Sequence, residues 1–498
     1  MKSYLLNIEE DFSPAKFSLP ENYAIEIINE GRLSQNYYDT FDYLLHQKNY
    51  YLIAEGQRFI LYDSEQEIAH PLNCKKTEKK YLYGSNFFEN NHTKILKNII
   101  QNRALIPVIS FELEYQYYSI LNEDRKIVLR FTMETIGPDN INILTLYPLR
   151  GYDPEAEDIE ALFSQYFFDE VANLQKFIFS KFLSEKRYAS KFTTHLNPGD
   201  SLEITLKKIF SFFLDVSQKN IAGITEDIDS EFLHDFRVGL RKTRTLLTLP
   251  MTCISPKLQK DFAARFKKIQ QTTNRLRDLD VYLEQREDFK SLIPAEFHRG
   301  IDDLFNYLHR ERRIELRKVK RHFQTKFFNQ TLADWKILLK SDNHELFLPE
   351  KCPTAEEFAS HTILDLLKKI RKKSKIAIKT EDVDTLHQVR ILCKKVRYIV
   401  EIFNSFYNQT NAQKFIRDIK KFQTILGDYN DVQMQKQMLH QFLKDLSAAP
   451  ENKPSIAAIG GMLTTLEIKG ETLYQDFVNT YKKFLNKIET HSIIFKNN

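Results

Sequence analysis

A run of basic side chains occurs twice in this sequence, at the same internal spacing. The first run consists of His234, Arg237, Arg241, Lys242 and Arg244. The second, 153 residues later, consists of His387, Arg390, Lys394, Lys395 and Arg397. Arginine offers a rigid fork of N–H donors that fits phosphate oxygens two at a time, lysine supplies a point charge, and a protonated histidine also donates. These residue types in a row are suited to a chain of phosphate groups.

Each run must lie on a helix for its side chains to act together. At roughly 100° per residue, His234, Arg237, Arg241 and Arg244 of the first run fall within an arc of about 80° and span about 15 Å of helix axis. The adjacent arc is apolar in both copies. It consists of Phe236, Leu240, Thr243 and Leu247 in the first copy and of Val389, Cys393, Val396 and Val400 in the second. The pattern predicts that the apolar arc packs while the basic arc stays available for a partner.

The repeat extends beyond the basic runs. The same shift of 153 residues places Lys268, Gln270 and Asp278 on Lys421, Gln423 and Asp431, without a gap. Register kept over dozens of positions indicates a duplicated helical unit.

Two interpretations of the basic arcs compete. In the first, they are solvated faces or internal ion-pair networks neutralised by Asp278, Asp280 and Asp431. In the second, an external anion supplies the missing charge. Like charges three and four residues apart weaken a helix, so a partner is needed, and the duplicated spacing favours the ligand.

Further bases crowd two other helical stretches. Arg310, Arg313 and Arg317 lie within residues 310–321, and six bases lie within residues 368–375. Aromatic side chains do not interleave with these bases as they do in single-strand nucleic-acid sites, and no groove-reading module is recognisable. A ligand made only of phosphate is therefore preferred over nucleic acid.

Composition supports a division into unlike parts. The 498 residues carry a net charge of +5, but residues 1–200 are at −8 and residues 201–498 at +13. A basic half of this kind is typical of proteins that bind phosphate or nucleic acid. Four distant cysteines argue against a zinc knuckle or a disulfide scaffold, and acids at Glu9 and Glu10 argue against a signal peptide. We expect a cytoplasmic protein without a membrane span and without a metal or cofactor.

Periodicity divides the chain into two kinds of structure. Residues from about 20 to 150 contain short, aromatic-rich alternating runs that predict an antiparallel sheet or barrel, and helical spacing takes over near Asp158. Breaks at residues 197–200 and 348–354 give three predicted domains: 1–190, 198–345 and 354–498. The predicted fold class is therefore α+β and multi-domain, with a β-rich part followed by an all-α part.

The duplicated helical part resembles the CHAD family, named for a conserved histidine α-helical domain. The resemblance rests on the motif His-x-x-Arg-Val-x-x-Arg-Lys-x-Arg at residues 234–244, on Arg277 to Val281, and on Gly427 to Val432. It implies two pseudo-symmetric four-helix bundles around a basic cavity, and binding of inorganic polyphosphate. It also implies that both basic runs are ligand-binding positions, with Lys268 and Lys421 as additions.

The first 190 residues resemble, more faintly, a CYTH domain of the tunnel-type triphosphate enzymes. Residues 37–42 and 148–152 carry this resemblance. The family's catalytic Glu-x-Glu-x-Lys strand is missing, because the nearest pattern, Glu112-Leu113-Glu114, lacks the Lys. We expect a degenerate domain without catalytic residues.

Three functional classes follow. The first is a polyphosphate-binding protein that acts on polyphosphate, including at storage granules, with Arg310, Arg313 and Arg317 added to the two basic runs. The second is a metal-dependent triphosphatase or polyphosphate-processing enzyme that uses Glu112 and Glu114 as metal ligands. The third is a scaffold that binds nucleic acid or granules nonspecifically. Metal-dependent phosphate release distinguishes the second class, and competition against DNA distinguishes the third.

Overall fold

The computed structural model describes residues 2–6, 19–75, 80–137, 139–183, 188–341, 346–348, 350, 352–380, 383–446 and 452–495. The chain divides into two compact units, residues 1–189, here called the sheet unit, and residues 190–498, here called the helical unit. A mixed α+β, multi-domain fold is thereby confirmed.

The sheet unit is built on nine antiparallel strands. They are β1 (Lys2–Leu6), β2 (Ala24–Asp39), β3 (Tyr50–Glu55), β4 (Arg58–Asp63), β5 (Ile68–Leu72), β6 (Ile106–Leu121), β7 (Ile127–Ile136), β8 (Ile141–Pro148) and β9 (Phe167–Val171). Their order across the sheet is β5-β4-β3-β2-β6-β7-β8-β1-β9. Three helices accompany them: α1 (Asn91–Ile100), α2 (Asp153–Phe163) and α3 (Leu174–Phe182). The predicted antiparallel sheet is confirmed.

Alternation along β7 places successive side chains on opposite faces of this sheet, and each face carries apolar core residues. On β7, Phe131 and Met133 pack in one core with Ile159 and Phe163 of α2. Glu134 points to the other face, as strand geometry requires. Burial, together with Glu55, raises the pKa of Glu134 to about 7.

The structure differs from the predicted strand region at its ends and in its interior. β1 and β9 lie outside residues 20–150, and β1 pairs with β8, which is distant in sequence. Such pairing leaves no local pattern in a five-residue strand. Inside the region, α1 begins at a cap in which the Asn90 side chain accepts a hydrogen bond from the Thr93 N–H at 2.7 Å.

The helical unit contains eleven α-helices among its described residues. They are α4 (Leu202–Glu226), α5 (Ser230–Leu247), α6 (Pro256–Thr272), α7 (Asn274–Glu284), α8 (Arg286–Ser291), α9 (His298–Phe323), α10 (Lys326–Lys340), α11 (Ala355–Thr380), α12 (Val383–Ile402), α13 (Gln409–Asp445) and α14 (Lys453–Ile494). No helix in the described part of either unit is both long and apolar enough to cross a membrane.

The sequence repeat is visible in where the helices begin. α4, α5 and α6 start at residues 202, 230 and 256, and α11, α12 and α13 start 153 residues later in each case. One difference breaks the correspondence. The first copy ends α6 at Thr272 and begins α7 at Asn274, whereas α13 runs unbroken through the equivalent region.

The two copies share a hydrophobic core. One buried cluster joins α7, α8 and α9 of the first copy to α13 and α14 of the second. Leu279 and Leu308 on one side, and Leu439 and Met462 on the other, are completely buried in it. Side chains about 150 positions apart in the sequence thus pack in one core, and their burial stabilises the contact between the two copies.

Gly300 tests this shared core, because it lies where α9 approaches α14. A Cβ at Gly300 would lie 2.5 Å from the Pro454 carbonyl oxygen and 2.7 Å from the Ala458 Cβ. We expect Gly300→Ala to lower the free energy of unfolding by about 1–3 kcal/mol, because backbone atoms must move. The matched control is Gly460→Ala on α14, where a Cβ meets nothing within 4 Å. That change should stabilise by up to about 1 kcal/mol. Urea unfolding of both variants measures the difference, and equal effects would contradict the close approach.

Candidate functional site

The two basic runs lie on α5 and α12, each anchored by its apolar arc. Phe236 and Leu240 of α5, and Val389 and Val396 of α12, are at most 2% exposed. α5 begins at a cap in which the Asp229 side chain accepts hydrogen bonds from the N–H groups of the next helical turn. Packing of the apolar arcs therefore fixes the direction in which both basic runs point.

Side chains of the two runs meet around one aromatic ring, that of Tyr398. The Arg241 guanidinium carbon lies 5.7 Å from the ring centroid, the Lys242 Nζ 5.9 Å, and the Arg397 guanidinium carbon 5.2 Å. Two further cations, Arg390 and Lys394, are electrostatic neighbours of Arg241. We call this group the Tyr398 cluster; its members are Tyr398, Arg241, Lys242, Arg390, Lys394 and Arg397. It combines cations from both copies of the repeat.

Burial and mutual repulsion disfavour the charged forms within the cluster. Burial, followed by Arg390, Arg241 and Arg397, lowers the pKa of Lys394 to about 7. Burial also lowers the pKa of Lys242 and of Arg390. Cations crowded and desolvated in this way gain from a bound anion.

Acidic side chains do little to neutralise the cluster. Asp280 is engaged elsewhere, at 2.6 Å from the Arg312 Nε. Asp431 is 3.8 Å from Arg390 and its side chain is 64% exposed. Glu401 lies 3.5 Å from the Arg397 Nε.

The remaining cations of the cluster have no carboxylate at ion-pair distance in the described part of the chain. Among the residues that the structure describes, no ion pair within 4.0 Å involves Arg241, Lys242 or Lys394. The internal ion-pair network therefore accounts for only part of the cluster.

Some buried polar atoms near the cluster lack a hydrogen-bond partner in the part of the protein that the structure describes. The Nε atoms of Arg241 and Arg390, and both amide atoms of Gln423, have no hydrogen-bond partner among the described residues. Gln423 is 7% exposed and lies one helical turn before Gly427. A Cβ placed on Gly427 would lie 3.9 Å from the Arg390 Nη2, so this part of α13 is close to the cluster. Buried donors without acceptors are costly, so an anion here would satisfy the N–H donors of Arg241, Arg390 and Gln423.

Arg237 plays a different part from its counterpart Arg390. Its Nη1 donates to the Gln270 carbonyl at 3.0 Å, to the Thr273 hydroxyl at 2.7 Å and to the Asn274 side chain at 2.9 Å. These acceptors lie where α6 gives way to α7. Arg237 thus secures the helix break that distinguishes the first copy.

Other predicted positions have individual surroundings. His234 and Arg244 are half-buried on α5, and Lys395 is half-buried on α12 with Arg244 among its charged neighbours. The exposed His387 ring has its Nδ1 3.3 Å from the Asn430 side-chain oxygen. Lys268 lies over the Phe327 ring at 4.6 Å, and Lys421 is exposed.

The arginines of α9 line a different cavity. Arg310 and Arg313 lie in an open cavity of about 720 Å³, together with Asp227, Asn306, His309 and Arg312. No member of the Tyr398 cluster is among these described lining residues. Arg313 and Arg317 each direct their Nε toward the backbone carbonyl four residues earlier, at 3.4 Å.

Two residues at or beside the site, Gln423 and Tyr398, were not predicted as site residues from the sequence. Gln423 carried a usable signal, because it recurs with Gln270 at the shift of 153 residues. Tyr398 carried none, because the equivalent position in the first copy is Thr245.

The glutamates proposed for metal binding lie on an exposed face of the sheet unit. Glu112 and Glu114 are exposed on β6, and Glu114 forms an ion pair with Arg32 at 2.6 Å. No group of three or more His, Cys, Asp or Glu side chains suited to a metal ion occurs in the described portion of the chain.

Comparisons with known proteins concern the helical unit. Residues 208–440 match the family model of the CHAD domain. A solved CHAD domain from the plant Ricinus communis is 20% identical, with a TM-score of 0.49, covering 60% of this chain and 97% of that one. The structure of PptA from Streptomyces chartreusis is 11% identical, with a TM-score of 0.44, covering 57% of this chain and all of that one. No curated protein sequence matched. The resemblance read from the repeated motif is confirmed by the family model of the CHAD domain, which matches residues 208–440.

Proposed function

We propose that the helical unit binds inorganic polyphosphate at the Tyr398 cluster. The observation that carries this proposal is the meeting of cations from α5 and α12 with few carboxylates to neutralise them. A chain of phosphates supplies repeated negative charge and oxygen acceptors, which suit guanidinium forks and lysine point charges. In this proposal the expectation of the CHAD family and the local electrostatics lead to the same ligand class.

The cluster favours polyphosphate over single-stranded nucleic acid. Nucleic-acid sites of that kind use accessible aromatic rings on which bases stack. The Tyr398 ring is only 4% exposed, and three cations surround it. A ligand without bases needs no such platform.

We further propose two properties of the chain. The first is that it binds polyphosphate without hydrolysing it. The second is that it acts in the cytoplasm, including at polyphosphate granules. The exposure of Glu112 and Glu114 and the pairing of Glu114 with Arg32 support the first point. Both carboxylates lie outside any cluster of three metal ligands in the described residues.

Removal of one cation from each copy tests the binding site. We expect the double variant Arg241→Gln with Arg390→Gln to bind long-chain polyphosphate about 10²–10⁴-fold more weakly, since each charge-assisted bond contributes about 1.5–3 kcal/mol. Isothermal titration at roughly 150 mM salt, with equal-charge DNA as competitor, measures the affinity. The matched control is Lys257→Gln with Lys260→Gln, two exposed lysines at the start of α6. An equal loss in both double variants would mean that only total charge matters.

The lowered pKa of Lys394 predicts a pH dependence of binding. In the free protein Lys394 is charged below about pH 7 and neutral above it. A bound anion favours the charged form, so binding above pH 7 requires proton uptake and affinity should fall as the pH rises from 7 to 9. Titrations in buffers of different ionisation enthalpy measure this uptake. Lys394→Arg, which stays charged, should bind with little pH dependence, and an unchanged pH profile in that variant would refute the assignment.

Incubation with long-chain polyphosphate and Mg²⁺ or Mn²⁺ tests the absence of turnover. We expect no release of orthophosphate above the protein-free rate in a colorimetric assay. Metal-dependent release that is lost in Glu112→Gln with Glu114→Gln would instead support the enzyme.

A further inference from the structure

Tyr398 contacts cations of both copies through one ring. Arg241 and Lys242 approach it from α5, and Arg397 from its own helix, α12. Arg390, whose pKa burial lowers, is a further electrostatic neighbour of Tyr398. Four cations of the cluster therefore have Tyr398 as a common neighbour.

An aromatic ring attracts cations in a way that leaves their charge available. The negative face of the ring holds a guanidinium or ammonium group electrostatically, but it carries no net charge. A carboxylate at the same place would form ion pairs and cancel the charge that an anionic ligand needs. Tyr398 can thus hold like charges close together and leave their N–H donors for the ligand.

The ring is present in only one copy of the repeat. The residue 153 positions earlier is Thr245, which is buried and has no aromatic face. Arg241 therefore has its aromatic contact in the other copy. Lys242 contacts both Tyr398 of the other copy and, at 5.2 Å, the Phe213 ring of its own copy.

We propose that Tyr398 is the positioning residue that holds the cations of α5 and α12 together for a phosphate chain. This inference rests on the proposed function and deepens it, since it assigns the geometry of the same site to a side chain that is neither basic nor duplicated. The hydroxyl is dispensable for this role, because the ring face makes the three contacts.

Three substitutions separate the ring from the hydroxyl. Tyr398→Phe keeps the face and should bind polyphosphate within about 2-fold of the wild type. Tyr398→Leu and Tyr398→Met remove the face and should bind about 10-fold more weakly. Their affinity should also depend less steeply on salt, because fewer cations engage the ligand at once. Titration of long-chain polyphosphate at several salt concentrations gives both quantities, and the methionine variant decides the question if the leucine variant does not fold.

Tyr407→Leu is the matched control for loss of a buried tyrosine. Tyr407 is 9% exposed, and its hydroxyl lies 3.1 Å from the Ser360 Oγ. Its recorded ring neighbours in the described chain are aromatic, Phe406 and Phe495. This variant should lower the melting temperature as much as Tyr398→Leu and leave both affinity and salt slope unchanged.

The outcomes distinguish this inference from the proposed function. Wild-type affinity and salt slope in both Tyr398→Leu and Tyr398→Met, with loss of binding in the Arg241 and Arg390 double variant, would overturn the role of Tyr398 alone. If Tyr398→Phe lost as much polyphosphate affinity as Tyr398→Leu, the effect would belong to the hydroxyl, and the proposed role of the ring face would also be overturned. If Tyr407→Leu lost as much affinity as Tyr398→Leu, the loss would reflect general destabilisation of the fold and would overturn the proposed role of Tyr398. Undiminished binding in the arginine double variant would instead refute the proposed site itself.

Discussion

The candidate site depends on the burial of apolar side chains that brings like charges together. Burial of a Phe, Leu or Val side chain contributes about 1.5–3 kcal/mol, whereas a like-charge pair on an exposed helix surface costs a few tenths of a kcal/mol and a desolvated pair costs more. The packed arcs of α5 and α12 each bury several such side chains. Apolar packing therefore outweighs the repulsion between Arg241, Lys394 and Arg397, and the protein folds with its cations crowded.

Duplication gave the two copies matching helix starts but different surroundings for matching arginines. Arg237 is held by acceptors at the break between α6 and α7, while Arg390 faces the unbroken α13 with one long contact to Asp431. The break at Thr273 thus converts one arginine into a structural anchor, and the continuous helix leaves the other available. The two copies are therefore more alike in sequence than in the charged and polar surroundings of their matching arginines.

Local periodicity was sufficient to predict the antiparallel strands, the helical part and the arcs of α5 and α12. Phe236 and Val389 recur at helical spacing, and such spacing depends only on neighbouring residues. Contacts between distant residues left no such signal. Tyr398 meets Arg241 across 157 positions of sequence, and β1 pairs with β8 across more than 130. The same limit explains why the arginines of α9 were grouped with the two basic runs, although Arg310 and Arg313 line a cavity of their own.

The core shared by α7, α8 and α9 with α13 and α14 has a consequence for synthesis of the chain. Leu279 and Leu308 are made about 150 residues before Leu439 and Met462, the side chains that complete their burial. At about 5–20 residues per second, a ribosome needs roughly 10–30 s to supply the second set. During that interval the nascent first copy presents half of a hydrophobic core to the solvent. A chaperone that shields apolar surface on nascent chains therefore has its greatest opportunity before α13 has emerged.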